Sequence, residues 1–255
     1  MNGHLLRYCA QMNLSDFELA TTAQVEACAL QDRVDTKFVL RADELDTLLS
    51  ILVTDFAVVQ SEESLVGQYR NQYFDTDEYR FLREHHRGRR PRFKVRIRHY
   101  LDRNMSALEI KEKAPNGRTV KIRQPLAFMS NELSEQQRAF LDAHPRITAG
   151  ALKPSVQVDF SRATLVSKQV DERLTIDTAL VFSHEEEEEA LGTVVVAEIK
   201  QPRFSPRSPG MLALRQSGAT QLRISKYMTA GQLLLPSIRL PRYTPRLKML
   251  RRRTA

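Results

Sequence analysis

The chain has 255 residues, of which 42% are hydrophobic and 27% charged, and it contains no Trp. These values are typical of a folded globular protein, and they exclude a largely disordered chain and a membrane-embedded one. The formal net charge is +8, but seven cations and no acid lie in residues 236–255, so residues 1–235 carry 32 cations against 31 acids. The cations of the body must therefore be interpreted by their arrangement, whereas the tail carries a bulk positive charge.

Ionic and apolar side chains alternate along many segments, with the two-residue period of a β-strand. The pattern is strongest in RFKVRIRHY (92–100), where cations occupy every second position. In chain order, the segments are RVDTKFVL (33–40), RFKVRIRHY, SALEIKEK (106–113), TVKIRQ (119–124), VQVDFSRATL (156–165), ERLTIDTAL (172–180) and VVVAEIK (194–200). Each is about as long as a strand, so the sequence predicts a sheet with one ionic face and one apolar face.

Helical patterns are fewer. RADELDTLLSILV (41–53) has leucines at helical spacing and acids near its start, and SNELSEQQRAFLDA (130–143) is similar, with Ser130 or Asn131 as the expected N-cap. The long segment at 209–235 predicts one or two helices broken near Ser217 and Gly218.

Two charged segments are predicted to be exposed loops. EHHRGRRP (84–91) indicates a basic loop or turn that leads into the strand at 92–100, so we expect His85 and His86 to be exposed and to have no catalytic partners. The run of five acids at 185–189 is predicted to be a solvated loop between two strands.

The cysteines and the apolar runs indicate a compartment. Cys9 and Cys28 lack metal-ligand spacing and a neighbouring His cluster, which favours a reducing environment and argues against a zinc site. No apolar run approaches the roughly 18 residues of a spanning helix, and the first residues lack the apolar core of a signal peptide. We therefore expect a cytoplasmic location.

The ionic faces of these strands are expected to point inward. An ordinary antiparallel sheet turns its polar face to water. Here, however, the ionic faces mix Arg and Lys with the isolated carboxylates Asp35, Glu109 and Glu198, and the amphipathic helices need an apolar sheet surface to cover. The simplest fold is α+β, a closed or nearly closed barrel that is apolar outside beneath helices and ionic inside.

An interior rich in cations requires water and anions. Removing water from one ammonium group costs several kcal/mol, and a ligand with several phosphates best offsets that cost. A carboxylate among the cations has two explanations, a divalent metal that bridges it to phosphate or an internal salt bridge. The metal is favoured for Glu198 and the salt bridge for Asp35, whereas both explanations stand for Glu109.

The order of the motifs resembles a known family. RVDTKFVL, QYFDTDEYRFL (72–82), RFKVRIRHY, LEIKEK, VKIR, ERLTID, VAEIK and ISKY together resemble the VTC domain, the polyphosphate polymerase domain of the vacuolar transporter chaperone complex. That domain belongs to the triphosphate tunnel metalloenzymes, which include CYTH-type phosphatases and cyclases. The resemblance implies an eight-stranded antiparallel β tunnel with a charged interior and helices packed outside. It suggests an N-terminal segment (1–30), a tunnel domain (31–236) and a basic C-terminal tail (237–255).

The resemblance also implies roles for individual residues, a divalent metal cofactor (Mn or Mg) and ATP or another triphosphate as ligand. The positions expected to act on the phosphates in catalysis are Arg96, Arg98, Arg162, Arg173 and Lys226. Those expected to bind substrate are Lys37, Lys111, Lys121, Arg123, Lys200 and Ser225. The metal-binding glutamate falls on Glu198, with Glu109 as a second candidate. Phe160 is a departure, because it removes an aromatic hydroxyl that relatives often carry.

Three functions are consistent with these features. The first is transfer of the γ-phosphate of ATP to a growing polyphosphate chain, whose terminal oxygen is already anionic and needs no general base. The second is hydrolysis of tripolyphosphate or a nucleoside triphosphate, and the third is a noncatalytic module that binds polyphosphate or nucleic acid. The expected partners are a triphosphate and inorganic polyphosphate, with no specific nucleic acid. The basic tail is either a solvated end or a contact for polyanions, an anionic membrane surface or a membrane partner protein, which would place the protein at the inner face of a membrane.

Overall fold

A computed structural model describes residues 12–28 and 33–253. The strands are β1 (Val34–Arg41), β2 (Phe56–Val58), β3 (Val66–Asp75), β4 (Arg92–Tyr100), β5 (Met105–Lys113), β6 (Thr119–Leu126), β7 (Lys153–Ser167), β8 (Arg173–His184), β9 (Glu187–Leu191), β10 (Val194–Gln201) and β11 (Thr220–Gln221). The helices are α1 (Thr22–Ala27), α2 (Ala42–Leu52), α3 (Arg80–Arg87), α4 (Glu135–Asp142), α5 (Pro209–Gln216), α6 (Lys226–Leu234) and α7 (Thr244–Arg251). Cys9 lies outside the described residues.

All eleven strands belong to one antiparallel sheet. Its main path is β11-β1-β10-β8-β7-β3-β4-β5-β6, and β2 and β9 pair at the sides with β7 and β8. The sheet is strongly curved, and this curvature brings Lys111 on β5 within electrostatic range of Asp35 and Lys37 on β1. The α+β class with a charged concave face is confirmed. The described strands, however, number more than eight, and β6 and β11 do not pair to close the sheet.

The convex face of the sheet is apolar and covered by helices. On β4, Phe93, Val95 and Ile97 are at most 1% exposed and pack in a cluster with residues of α3 and α4. Clusters around α2 and α5 cover the convex sides of β1, β8 and β10 in the same way. Burial of apolar surface contributes about 25 cal/mol per Å², so the alternating sequence forces the ionic positions onto the concave face.

Local sequence signals explain where most helices begin. The leucines of α2 are buried as predicted, and α5 and α6 are separate helices with Gly218 at a φ of +81° between them. The expected N-cap of α4 at Ser130 or Asn131 is wrong. The helix begins after Ser134, because the backbone N–H of Gln137 donates to the Ser134 hydroxyl and the Gln137 side chain accepts from the Ser134 backbone, a reciprocal capping box.

Both predicted loops contain regular structure. His85 and His86 lie on α3, not in a loop, because the Asp75 carboxylate accepts from the backbone N–H groups of Phe81 and Leu82 and thereby caps that helix. Part of the acidic run lies in strand β9 and not in a loop. β9 pairs with residues 180–184 of β8 through backbone hydrogen bonds, which do not depend on the exposed side chains.

One helix and the C-terminal tail pack against part of the concave face. Val39, Val194 and Val196 share that face with the ionic positions of β1 and β10, and they form an apolar cluster with α6. The tail continues this cluster with buried Ile238, Leu240, Tyr243, Leu247 and Leu250, so residues 237–253 do not form a wholly solvated end. Within the described ranges, no helix is both long and apolar enough to span a membrane.

Candidate functional site

The concave face collects the predicted site residues from seven strands and from the start of α6. On most of these strands the ionic positions face inward because the alternate positions are held in the convex core. On β6, by contrast, the alternate residues Val120 and Ile122 are exposed. The set comprises Lys37 (β1), Arg96 and Arg98 (β4), Glu109 and Lys111 (β5), Lys121 and Arg123 (β6), Arg162 (β7), Arg173 (β8), Glu198 and Lys200 (β10), Ser225 and Lys226. The cations of this face are arranged around three carboxylates.

The first carboxylate is Glu109 on β5, which is buried and contacted by two arginines of β4 and one lysine of β6. Arg96 donates from Nε and Nη2 at 2.9 and 2.7 Å, Lys121 Nζ lies 2.6 Å from Oε1, and Arg98 Nε lies 4.0 Å from Oε2. Burial alone would raise the pKa of Glu109, but these cations outweigh it and hold the pKa well below its usual range. Glu109 is therefore ionised and already engaged, which matches the salt-bridge explanation.

The second carboxylate is Asp177 on β8, which the sequence analysis did not single out. Arg162 donates to it from Nε and Nη2 at 2.5 and 2.8 Å, and the Lys226 ammonium also donates to it. Burial would raise its pKa, but Arg162 and Lys226 lower it to about 2. The sequence did contain a signal for this carboxylate. In ERLTIDTAL, Asp177 lies four residues after Arg173 and therefore on the same face of the predicted strand.

The third carboxylate is Glu198, which is bound by the ammonium groups of Lys37, at 2.5 Å, and of Lys200. Burial would raise its pKa, but these two cations hold it well below the usual range. Burial in turn lowers the pKa of Lys200 to about 8, with Glu198 opposing the change. The same competition, with Asp177 as the opposing group, sets the pKa of Lys226 at about 8.

Several cations of the same face, among them Lys94, Lys111 and Arg173, have no carboxylate within ion-pair distance in the described parts of the chain. Burial is the main cause of a lowered pKa in each, and neighbouring cations such as Arg96 and Arg162 lower it further, whereas Glu198 and Asp35 oppose the change at Lys111. Arg173 Nε is buried without a hydrogen-bond partner, and Lys94 donates to the Ser225 hydroxyl at 2.8 Å. The face therefore holds uncompensated positive charge. Lys94 belongs to the predicted cationic row of β4 but was not among the predicted site residues.

An aromatic wall orients several guanidinium groups. The Arg98 guanidinium lies 5.6 Å from the ring of Tyr69, and that of Arg123 lies 5.3 Å from the ring of Tyr100. Tyr69 stacks on Phe160 at 5.3 Å between ring centroids, so a tyrosine hydroxyl remains beside the position where Phe160 lacks one. Contacts of this kind between cations and rings are worth about 0.5–2 kcal/mol each and fix the direction of the donors.

The site opens at both ends of the curved sheet. At the end where β4 finishes, a cavity of about 250 Å³ is lined by Tyr69, Tyr100, Arg123, Arg162 and Arg173, among others. At the end where β4 begins, a cavity of about 440 Å³ includes Arg92 and Ser225 in its lining. Because the cationic row of β4 connects the two ends, the arrangement can hold an elongated polyanion along the strand direction.

A divalent metal fits the donor set only as a partner of phosphate. Within the described residues, no group of three or more His, Cys, Asp and Glu side chains could enclose a metal ion. Mg²⁺ is nevertheless often held by one or two carboxylates plus substrate phosphates. Glu198 can supply one such oxygen ligand if Lys37 and Lys200 turn to the phosphates. Glu109 has less freedom, since three cations surround it.

Comparison with known proteins identifies the family. The VTC domain model matches residues 32–235, and the chain belongs to this family, as the order of its motifs indicated. No curated protein matches the chain. Among solved structures, a candidate adenylyl cyclase from Hippeastrum, HpAC1, described as having a dominant triphosphatase activity, is 17% identical, with a TM-score of 0.49 over 80% of this chain and 98% of its own. A candidate adenylate cyclase from Bacillus halodurans is 18% identical, with a TM-score of 0.47 over 76% and 96% of the two chains.

Proposed function

We propose that this protein is a metal-dependent phosphotransferase that moves the γ-phosphate of ATP to a growing chain of inorganic polyphosphate. The observation that carries the proposal is the uncompensated charge of the concave face, where the partly buried Lys94 and Arg173 lie beside paired cations without carboxylates of their own. A bound chain of phosphates would offset the cost of burying these cations. Membership of the VTC domain family supports the same substrate class.

In this proposal the chain acts mainly by position and charge, as is general for phosphoryl transfer. Arg96 and Arg162 are each fixed by a carboxylate through two nitrogens, and Arg96 Nη1 also donates to the Tyr73 hydroxyl. Both guanidinium groups are thereby held at the space enclosed by the concave face, which we call the tunnel. Arg98 and Arg173 bind the transferring and nonreacting phosphates beside them. Such preorganised donors stabilise charge that develops on the phosphate oxygens without having to reorient during the reaction.

The lysines have a different proposed role. Lys37, Lys111, Lys121 and Lys226 are mobile point charges that track the phosphate chain, with Arg123 and Lys200 beside them and Ser225 as a hydroxyl donor. A divalent cation, Mn or Mg, would be held by Glu198 together with phosphate oxygens, and it would supply neutralisation of charge between the β- and γ-phosphates. The acceptor oxygen of polyphosphate is already ionised, so the proposal requires no general base from the chain.

The experiment is incubation of the pure protein with ATP and Mn, followed by separation of long-chain polyphosphate, orthophosphate and ADP. Long-chain polyphosphate formed in proportion to ADP is the expected result. Orthophosphate as the only product would instead indicate a triphosphatase, and binding without turnover would indicate a noncatalytic module. Glu198→Gln serves as the control, because it preserves the shape of the side chain and removes the anionic ligand.

The location and the protein partner belong to the same proposal. We expect the protein to act in the cytoplasm, at the inner face of a membrane where a partner protein spans it. The exposed cations Arg239, Lys248 and Arg252 of the tail provide a surface for that contact. Co-purification with membrane proteins from cells that express the chain with and without charge reversal of these three positions tests it.

A further inference from the structure

The cavity at the end of the tunnel where β4 begins is lined by an unusual number of arginines. Its volume is about 440 Å³, and its walls come from α3, the start of β4, the segment before α6 and the C-terminal tail. Six arginines contribute to the lining, and no Asp or Glu does: Arg87, Arg90, Arg92, Arg223, Arg242 and Arg246. We call this the arginine cavity.

None of these six arginines pairs with a carboxylate in the described parts of the chain. Arg92 donates to the backbone oxygen of Arg89, and Arg246 lies against the ring of Tyr243, 5.6 Å from its centroid. This differs from Arg96 and Arg162 inside the tunnel, which each have an acidic partner. Several like charges around one concave space repel one another, and an anion in that space removes the repulsion.

The arginine cavity is continuous with the tunnel. Arg92 and Lys94 are alternate residues of one strand and lie about 7 Å apart on the same face. Ser225 lines the cavity, and its hydroxyl accepts from Lys94 Nζ at 2.8 Å. His85 also lines the cavity, its Nδ1 is buried without a hydrogen-bond partner, and burial, followed by the charges of both Lys94 and Arg92, lowers its pKa. A ligand that fills the tunnel can therefore extend into the cavity without leaving a cationic surface.

The C-terminal tail holds two of the arginines in place. The backbone N–H of Arg242 donates to His86 Nε2 at 3.1 Å, and the buried Tyr243 hydroxyl accepts from the backbone N–H of Ser225 at 3.1 Å. The apolar residues that follow anchor α7 to the core. Residues 242–246 lie outside the range 32–235 matched by the VTC domain model, so this wall is not part of the matched domain.

We propose that the arginine cavity binds phosphate units of a linear polyphosphate chain beyond those held in the tunnel, and that the tail thereby gives the protein a preference for long chains over triphosphates. The proposal rests on the proposed function, because it concerns the acceptor or product of the same site. A triphosphate bound among Arg96, Arg98 and Arg162 does not require the cavity. Only a longer chain satisfies both sets of cations at once, and each additional contact adds to its affinity.

The test is a measurement of affinity by calorimetry for tripolyphosphate and for long-chain polyphosphate, with the full-length protein at constant ionic strength. The variant is Arg242→Ala/Arg246→Ala. Its matched control, Arg239→Ala/Arg252→Ala, removes two exposed cations of the same tail that do not line the cavity. We expect the first variant to bind long-chain polyphosphate about tenfold more weakly and tripolyphosphate within about twofold of the unmodified protein, and the control to change neither by more than about twofold.

Three results would overturn the proposal. An equal loss for both ligands would place the arginines in the triphosphate site or in the fold, and an equal loss in both variants would show only a net-charge effect. Unchanged long-chain binding would remove the cavity from the ligand path. Vesicles of phosphatidylserine provide a further arm, since loss of vesicle binding with unchanged polyphosphate binding would assign the arginines to a membrane surface instead.

The binding measurement separates this proposal from the proposed function. It needs no turnover, so a protein that makes no polyphosphate but discriminates between chain lengths through Arg242 and Arg246 would contradict the polymerase and support the cavity. If the Arg242→Ala/Arg246→Ala variant makes polyphosphate normally and binds long chains with unchanged affinity, the polymerase is supported and the role of the cavity is contradicted.

Discussion

The middle of the tunnel and its arginine cavity use cations in different ways. In the middle, Glu109, Asp177 and Glu198 each hold at least two cations in fixed directions. In the cavity, six arginines surround one space without an acid in the lining. The paired cations hold their hydrogen-bond donors in fixed directions, because a carboxylate orients each of them. The unpaired cations attract an anion more strongly, because no acidic side chain offsets their charge. Variants in the two regions should therefore fail in different ways.

The largest effect is expected from Arg96→Ala in the middle of the tunnel. The substitution removes a proposed phosphate donor and leaves the buried Glu109 with fewer partners, so we expect turnover to fall by more than about 100-fold and the free energy of unfolding by roughly 2–4 kcal/mol. Activity assays and denaturant titrations measure the two losses. The double variant Arg96→Ala/Glu109→Gln should regain part of the stability and none of the turnover. Full turnover in Arg96→Ala would contradict the assigned role.

The second largest effect is expected from Glu198→Gln, which should change turnover and tripolyphosphate affinity in different ways. Loss of the anionic ligand should lower turnover with Mn by about 100-fold, because metal-assisted charge stabilisation is worth several kcal/mol. Affinity for tripolyphosphate without metal should be retained or increased, since Lys37 and Lys200 lose their acidic partner. Calorimetry in the presence of a chelator, beside the activity assay, measures both. Weak tripolyphosphate binding together with normal turnover would be the opposite of the expected result.

A smaller effect is expected from pH. Lys200 and Lys226 have a pKa of about 8, so each is cationic below that pH and loses its charge above it. Affinity for tripolyphosphate should therefore be highest near pH 7 and fall by roughly tenfold towards pH 9.5, with a midpoint above 8 because the bound anion itself favours the protonated lysines. Lys226→Arg should remove part of this fall. An affinity that does not change over this range would show that neither lysine contacts the phosphates.

The smallest effect is expected outside both regions. Glu188 lies exposed on β9, away from the tunnel cations, and Glu188→Gln should change the free energy of unfolding by less than about 0.5 kcal/mol. Turnover and both polyphosphate affinities should also remain unchanged. A clear loss of long-chain binding in this variant would mean that charge anywhere on the molecule alters binding, which would weaken the contrast between the middle of the tunnel and the arginine cavity.

Much of the fold was predictable because alternation is a local property. RFKVRIRHY predicted both the strand β4 and the inward direction of its cations, and the leucines of α2 predicted the helix that covers the convex face. The family followed from the order of such segments. Local capping was less certain, as the displaced start of α4 at Ser134 shows, because several Ser and Asn residues compete for the same role.

Contacts between distant segments were not predictable from the pattern. Asp177 gained its importance from Arg162 and from Lys226, which follows it by 49 residues. His85 was expected in an exposed loop, but α3 is stabilised by Asp75 and packs against α6. The tail was interpreted through its charge, whereas its apolar residues Tyr243 and Leu247 determine where it packs. In each case the deciding partner is far away in the sequence.

The pairing of β1 with β10 bears on how the protein is synthesised. Val34 lies opposite Gln201, and Lys37 lies opposite Glu198, so the first strand of the sheet finds its partner only after some 160 further residues have left the ribosome. Pairings of such large sequence separation form late and slowly. A nascent chain therefore lacks the joined halves of the proposed phosphate site until β10 has been synthesised, and no shorter chain can present the complete concave face.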